Sequence, residues 1–524
     1  MSQVAAEDYN DVVGYITDVE GNLDYFLEYV KISKVVTLKE DKTNGFVLNT
    51  PGKKEVLDFY NSSAKLVFGG DSQDKGVGDV RIVLLLLEFK KRFPDRVHLI
   101  IGNRDCNKLR LAAELSAAIL EDEEVANDKG FPYWVAPEKR VTPNMALEKD
   151  PKTGNKGADR LKWMLKHTMG ADGGFERRKF ELAEMQDKNM SEISDDDVVT
   201  SYRDSIDATQ KDWKKCFMLE YLRNAELGYF FGNTLFVHGG VSKDNWLRIP
   251  GETEASGVKD WINKLNSFAK QQVAEFEKET DHPKSKNKTD RKGHKLMDYG
   301  VPNGNCEPAF DPAAPPRTVI CNTHLVGGNP AQFDMTLADA LVKEDTFNVV
   351  VGHIPHGDCP TTIRAKKVLV IMGDTSYSKM GYKTTKKTSS GTAADTLEYA
   401  DNRNGAVSEI IVWPNGKVQV HGVRSTPDTG AADEIDFFLR HDNGDKYVGR
   451  QVKDGDMKAY WVKAKIKGED KYVLSKGEGF KLDHKTLTLA DLEKLEFEEA
   501  TVVPTADADP PADLVQGVVQ GVGG

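Results

Sequence analysis

The chain is poor in the features that build disulfide scaffolds, thiolate metal sites and membrane spans. Its 524 residues include five cysteines, at Cys106, Cys216, Cys306, Cys321 and Cys359. They are scattered, odd in number and never spaced C-x-x-C, which argues against a disulfide framework and against a thiolate zinc site. No stretch approaches about 18 consecutive apolar residues, so no membrane span or membrane partner is expected. The opening MSQVAAEDYNDV lacks a charged-then-apolar leader pattern, and a cytoplasmic location is the expectation. Positive charge is not in excess either: the formal net charge is −12. Gripping a nucleic-acid backbone needs clustered Lys and Arg, so no nucleic-acid backbone binding is expected. A locally basic pocket stays compatible with this balance.

What is present is a soluble globular composition, 39% hydrophobic and 29% charged. At about 100–200 residues per domain the length suits two to four domains, or one large domain with insertions. Short apolar runs recur, each ending in Gly and polar residues: VVGYITDVEGN, KLVFGGDSQDKG, VHLIIGNRD, TLFVHGGVS, FNVVVGHIPHG and KVLVIMGDTSYS. They are short for helices and suit buried strands. Helical patterns follow the first two, LDYFLEYVKI and VRIVLLLLEFKKRF. This alternation predicts an α/β fold with the polar residues at strand ends. A main domain is expected over 1–428, with helical insertions at about 106–230 and 243–345. LRLAAELSAAILEDEE, KDWKKCFMLEYLRNAEL and VKDWINKLNSFAKQQVAEFEKE are the helix-like stretches inside them, and a Lys- and Pro-rich loop spans about 281–316. AVSEIIVWPNGKVQVHGV reads as a hairpin turning at Asn-Gly. A small β-rich appendage is expected over 429–500 and a disordered tail over 501–524.

The strand ends collect oxygen- and nitrogen-bearing ligands. D-x-E-G-N contributes Asp18 and Glu20. G-D-x-x-D-K-G contributes Asp71 and Asp74, and G-N-R-D contributes Asn103. H-G-G contributes His238, and G-H-I-P-H contributes His353 and His356. Singly, each of these is more often a cap, a turn residue or a core histidine. Together and in this order they resemble the calcineurin-like metallophosphoesterases, near the phosphoprotein phosphatase and diadenosine-tetraphosphatase-like branch. The resemblance covers roughly 10–110, 230–245 and 345–425. It implies two mixed β-sheets packed as a sandwich with helices outside. It also implies two divalent metal ions, Mn²⁺ or Mg²⁺ first, with iron or zinc as alternatives. Asp71 would bridge them. Asp18 and Glu20 would ligate the first, and Asn103, His238 and His353 the second. A hydroxide between two such metals attacks a phosphoryl group in line.

Three departures from the family pattern matter. Glu20 stands where a histidine is usual, adding a carboxylate that favours hard cations; alternatively it points to solvent. Lys75 replaces an arginine, keeping the charge for substrate phosphate but losing the bidentate fork; alternatively it is a solvated turn lysine. Arg104 replaces the histidine paired to the acid that Asp74 matches. Arginine releases no proton at useful pH, so Arg104 is read as a phosphate clamp held by Asp74, or as one half of a purely structural ion pair. Leaving-group protonation would then fall to His356, which is alternatively an extra ligand to the first metal; His324 is a more distant candidate. The function implied is hydrolysis of phosphate esters or anhydrides, with a phosphorylated protein or small molecule as partner. The alternative is a catalytically weak module that binds a phosphorylated partner.

Overall fold

The computed structural model describes residues 8–41, 45–50, 53–121, 135, 137–143, 145, 156–278, 294–301, 318–376, 382–389, 395–403, 405–425, 432–440, 444–479 and 481–498. The expected tail over 501–524 and most of the 281–316 loop lie outside these residues.

Two mixed sheets form the centre. The first has seven strands in the order Ala432–Leu439, Val418–Ser425, Val407–Val412, Val13–Ile16, Lys65–Phe68, Val97–Ile100 and Ala225–Glu226. Its last four strands run parallel, and Val13–Ile16 meets Val407–Val412 antiparallel. The second has five strands, Thr361–Ala365, Val368–Met372, Asn348–Val351, Thr234–Val237 and Gly228–Phe231. Its middle three are parallel. The period of two along each strand sorts the core. Tyr15, Val67 and Ile100 face Phe236, Val350 and Ile371 in one apolar layer between the sheets. Ile16, Leu66, Phe68, Leu99, Val349 and Val351 join the layer beneath the helices. This is the expected sandwich.

Helices Leu23–Ile32 and Asp79–Arg92 form where expected. Asn22 caps the former, its side chain accepting the Tyr25 N–H. The Asn-Gly hairpin also forms, with Val412 opposite Val418. Two helix-like stretches come out shorter. LRLAAELSAAILEDEE breaks into Arg110–Glu114 and Ala117–Glu121. Between them the Ser116 hydroxyl bonds the Ala113 carbonyl, a side-chain bond that competes with the helix. The helix Phe217–Asn224 stops because Ala225 and Glu226 pair with Leu99 and Ile100; the long-range ladder overrides helix propensity. Val258–Glu277 is a full helix.

Ala432–Leu439, expected in the appendage, is an edge strand of the seven-stranded sheet. A separate three-stranded antiparallel sheet, Trp461–Lys465, Lys471–Glu478 and Lys481–Thr488, follows it. Val462, Ala464 and Leu474 share an apolar layer with Ile435 and Phe437, so this sheet extends the main core. Among the described residues no helix is long and apolar enough to cross a membrane.

Candidate active site

Asp18, Asp71, Asn103, His238 and His353 each follow a strand in one of the two sheets. Asp18, Glu20, Asp71, Asp74 and His353 all have positive φ, at 51°, 49°, 54°, 105° and 73°. Non-glycine residues there are strained, and such strain gathers at functional sites. The glycines of the motifs have a matching steric reason. A Cβ at Gly102 would collide with the Asp71 carboxylate, and one at Gly352 with that of Asp18. Asp105 ties two turns together: its carboxylate accepts N–H bonds from Gly102, Asp71 and Ser72 at 2.8–3.0 Å.

Asp71, His238 and His353 present ligand atoms all within 4.8 Å of one another. Among the described residues they form the one such group. The His238 Nδ1–H donates to the Gly69 carbonyl at 2.8 Å, which turns Nε2 inward. That Nε2 lies 3.3 Å from Asp71 Oδ1 and 3.2 Å from Asn103 Oδ1. His353 Nδ1 lies 2.9 Å from the same Asn103 oxygen. One carboxylate, one amide oxygen and two imidazoles therefore converge, a nitrogen and oxygen donor set that fits a divalent cation. Burial opposes protonation of His238, but the Asp71 and Asp18 carboxylates raise its pKa to about 10. Burial and the nearby His238 push His353 down to about 3.

The other half of the expected site is built differently. Glu20 Oε1 lies 2.8 Å from Arg104 Nε. Glu20 Oε2 accepts the Asn402 amide at 3.1 Å and lies 3.6 Å from Arg403 Nη2. Glu20 is thus buried and engaged, neither solvent-facing nor within the group of converging ligands. Both Asp18 oxygens accept the His353 backbone N–H, at 3.2 and 3.0 Å. Arg104 Nε also lies 3.4 Å from Asp71 Oδ2, and Arg104 Nη1 lies 3.5 Å from Asp74 Oδ2 and 3.2 Å from the Gly170 carbonyl. Asp74 is indeed a partner of Arg104, but its closer partner is Lys108 at 2.8 Å. Lys75 is half-buried; burial and the charge of Arg104 bring its pKa down to about 8.

His356 has partners of its own. Its Nδ1 lies 3.1 Å from Thr361 Oγ1, and its carbonyl accepts a bond from Lys463 Nζ. Burial, then Lys463 and His484, hold its pKa well below the usual value. The turn after His353 brings it beside Lys463 and His484 of the C-terminal sheet, and it is not in the group of converging ligands found among the described residues. His324 is buried and packs against Phe333, with ring centroids 5.6 Å apart.

Several contributors were invisible in the motifs. Asn402 and Arg403 come from a distant loop, and nothing in the spacing marks them. Arg177, on the insertion helix Gly174–Gln186, donates to the Asp74 carbonyl at 2.7 Å. Lys108 had a faint signal: it is four residues after Arg104, hence on the same helical face. Asp374, in the quoted GDTSYS, is buried; burial chiefly raises its pKa, to about 7.

No protein-family profile and no curated protein sequence matches this chain. The solved structures that match this chain include two phosphatases. One is a cold-active protein-tyrosine phosphatase from a psychrophilic Shewanella species, with a TM-score of 0.34, 14% identity and 81% of this chain covered against 80% of that one. The other is a protein serine/threonine phosphatase from Saccharomyces cerevisiae described as similar to human phosphatase PP5, with a TM-score of 0.30, 10% identity and coverage of 76% and 81%. Likeness at this level carries no argument about reaction or substrate, which rests on the side chains.

Proposed function

We propose that this chain is a metal-dependent phosphoric ester hydrolase of the calcineurin-like kind, acting on phosphate esters or anhydrides. Its partner is a phosphorylated protein or a nucleotide-type small molecule. The observation that supports this most is the convergence of Asp71, His238 and His353 with the Asn103 amide oxygen. A divalent cation held there, Mn²⁺ or Mg²⁺ first, supplies an ionised water near neutral pH and a Lewis acid for a phosphoryl oxygen. The chain contributes the rest. The Gly69 carbonyl fixes the His238 tautomer, as outer partners of ligating histidines do. Arg104, 3.4 Å from Asp71, and Lys75, near Arg104 and Glu20, place positive charge beside the converging ligands, where it would stabilise an anionic transition state. Met169 and Gly170, from the first insertion, wall the Arg104 side. Arg104 keeps its proton and His356 lies outside the group of converging ligands, so substrates with good leaving groups, aryl phosphates and anhydrides, are favoured.

The test is hydrolysis of p-nitrophenyl phosphate in Mn²⁺, Mg²⁺ and Zn²⁺, for the wild type and Asp71→Asn. Turnover should need added metal and should vanish in a folded Asp71→Asn protein. Wild-type rates in that variant, or phosphate binding without turnover in every metal, would overturn the reading; the second result would favour a phosphate-binding module.

A further inference from the structure

We infer that the guanidinium of Arg104, locked onto Glu20, stands in the place expected for a first divalent cation, so that the chain holds a single cation. This rests on the metal-dependent reading above for the second position. The expected pair of metals needs Asp71 to offer one oxygen to each. Its Oδ1 does face the His238 Nε2, at 3.3 Å. Its Oδ2 faces Arg104 Nε instead, at 3.4 Å. The same Nε lies 2.8 Å from Glu20 Oε1. One nitrogen of a permanent cation therefore spans the two carboxylates that a first metal would have spanned.

The remaining ligands expected there hold other hydrogen-bond partners. Asp18 accepts the His353 N–H and the Thr17 hydroxyl. The second Glu20 oxygen accepts from Asn402 and is backed by Arg403. Arg403 is 4% exposed, and its guanidinium nitrogens have no hydrogen-bond acceptor among the described residues. Its charge faces Tyr25, Glu20, Asp374 and Asp18. Two arginines thus share one buried glutamate.

Charge arithmetic makes the two departures from the family pattern one device. A guanidinium buried at position 104 needs a carboxylate beside it, because an unpaired buried charge is strongly destabilising. A neutral imidazole at position 20 would leave that to Asp71 and Asp74, at 3.4 and 3.5 Å, both farther from the guanidinium than Glu20 at 2.8 Å. Conversely, Glu20 beside Asp71 needs a cation, and Arg104 brings one covalently. The donor sets agree: Asp71, His238 and His353 converge within 4.8 Å, and Asp18 and Glu20 do not join them. A fixed guanidinium supplies charge but no vacant coordination position, so water activation falls to the one exchangeable cation.

The experiment is metal content per chain, by elemental analysis and by calorimetric titration with Mn²⁺ and Zn²⁺ after chelation and dialysis. The wild type should bind one cation. Glu20→His combined with Arg104→His removes the guanidinium and adds two imidazoles, and should bind two. Two cations in the wild type, or none, would overturn the inference. So would a folded double variant that still binds one. Should the double variant fail to fold, the wild-type count alone decides. Because the readout is stoichiometry, one bound cation with no phosphoester hydrolysis would sink the proposed function and leave this inference standing. Two bound cations with hydrolysis would do the reverse.

Discussion

Lys108→Met should cost this protein about 3 kcal/mol of stability. The side chain is completely buried, and its three ammonium protons are all used. They go to Asp74 Oδ2 at 2.8 Å, the Arg104 carbonyl at 2.8 Å and Asn107 Oδ1 at 3.0 Å. Methionine keeps the length and apolar volume and removes the charge. It leaves the Asp74 carboxylate, also fully buried, with Arg104 Nη1 at 3.5 Å as a remaining cation. Removing one partner of a buried ion pair costs about 3–5 kcal/mol, because the other charge stays without compensation. The surviving Arg104 contact places the expected loss at the lower end of that range. Asp74→Asn in the same background removes the orphaned charge, so the double variant should be less destabilised than the two single losses added together, with a coupling of about 2 kcal/mol. The assay is urea unfolding of the metal-free protein, with chelator present so that metal linkage does not mask the change. The first unfolding transition is the one to follow, because a chain of this size need not unfold in one step. A loss under about 1 kcal/mol for Lys108→Met, or strict additivity in the cycle, would refute the reasoning.

The remaining predictions concern the site. His356→Ala should leave p-nitrophenyl phosphate turnover within about twofold of wild type, because His356 packs beside Thr361 and Lys463; a tenfold fall in kcat would restore it to proton transfer. In the metal-free protein the pKa of His238 is raised to about 10. The stability it contributes is therefore fully present below its ordinary value of about 6.5 and is lost as pH rises through the raised one. A cation competes with that same proton, so Mn²⁺ affinity should climb steadily from pH 6.5 to 9. Thermal melts with chelator and with Mn²⁺ across this range read both effects, and a flat metal affinity would remove His238 from the ligand set.

The sandwich was legible in the sequence because apolar runs of strand length end in glycine and polar residues, and a period of two decides which side chains enter each layer. The turns after those strands put the same polar residues at one edge, so Asp71, Asn103, His238 and His353 were legible for the same reason. The family resemblance also marked Asp74 as the partner of Arg104. It could not mark Lys108, Arg177, Asn402 or Arg403, because each reaches the site through packing between segments far apart in the chain or through a helical face with no motif. His356 shows the converse: three residues from His353, it is carried by one turn into a different environment. Glu20 and Arg104 show the limit most clearly. As letters they were two separate substitutions, each with several readings. Only the folded chain brings their side chains to 2.8 Å, and at that distance in a buried site opposite charges satisfy each other rather than a metal.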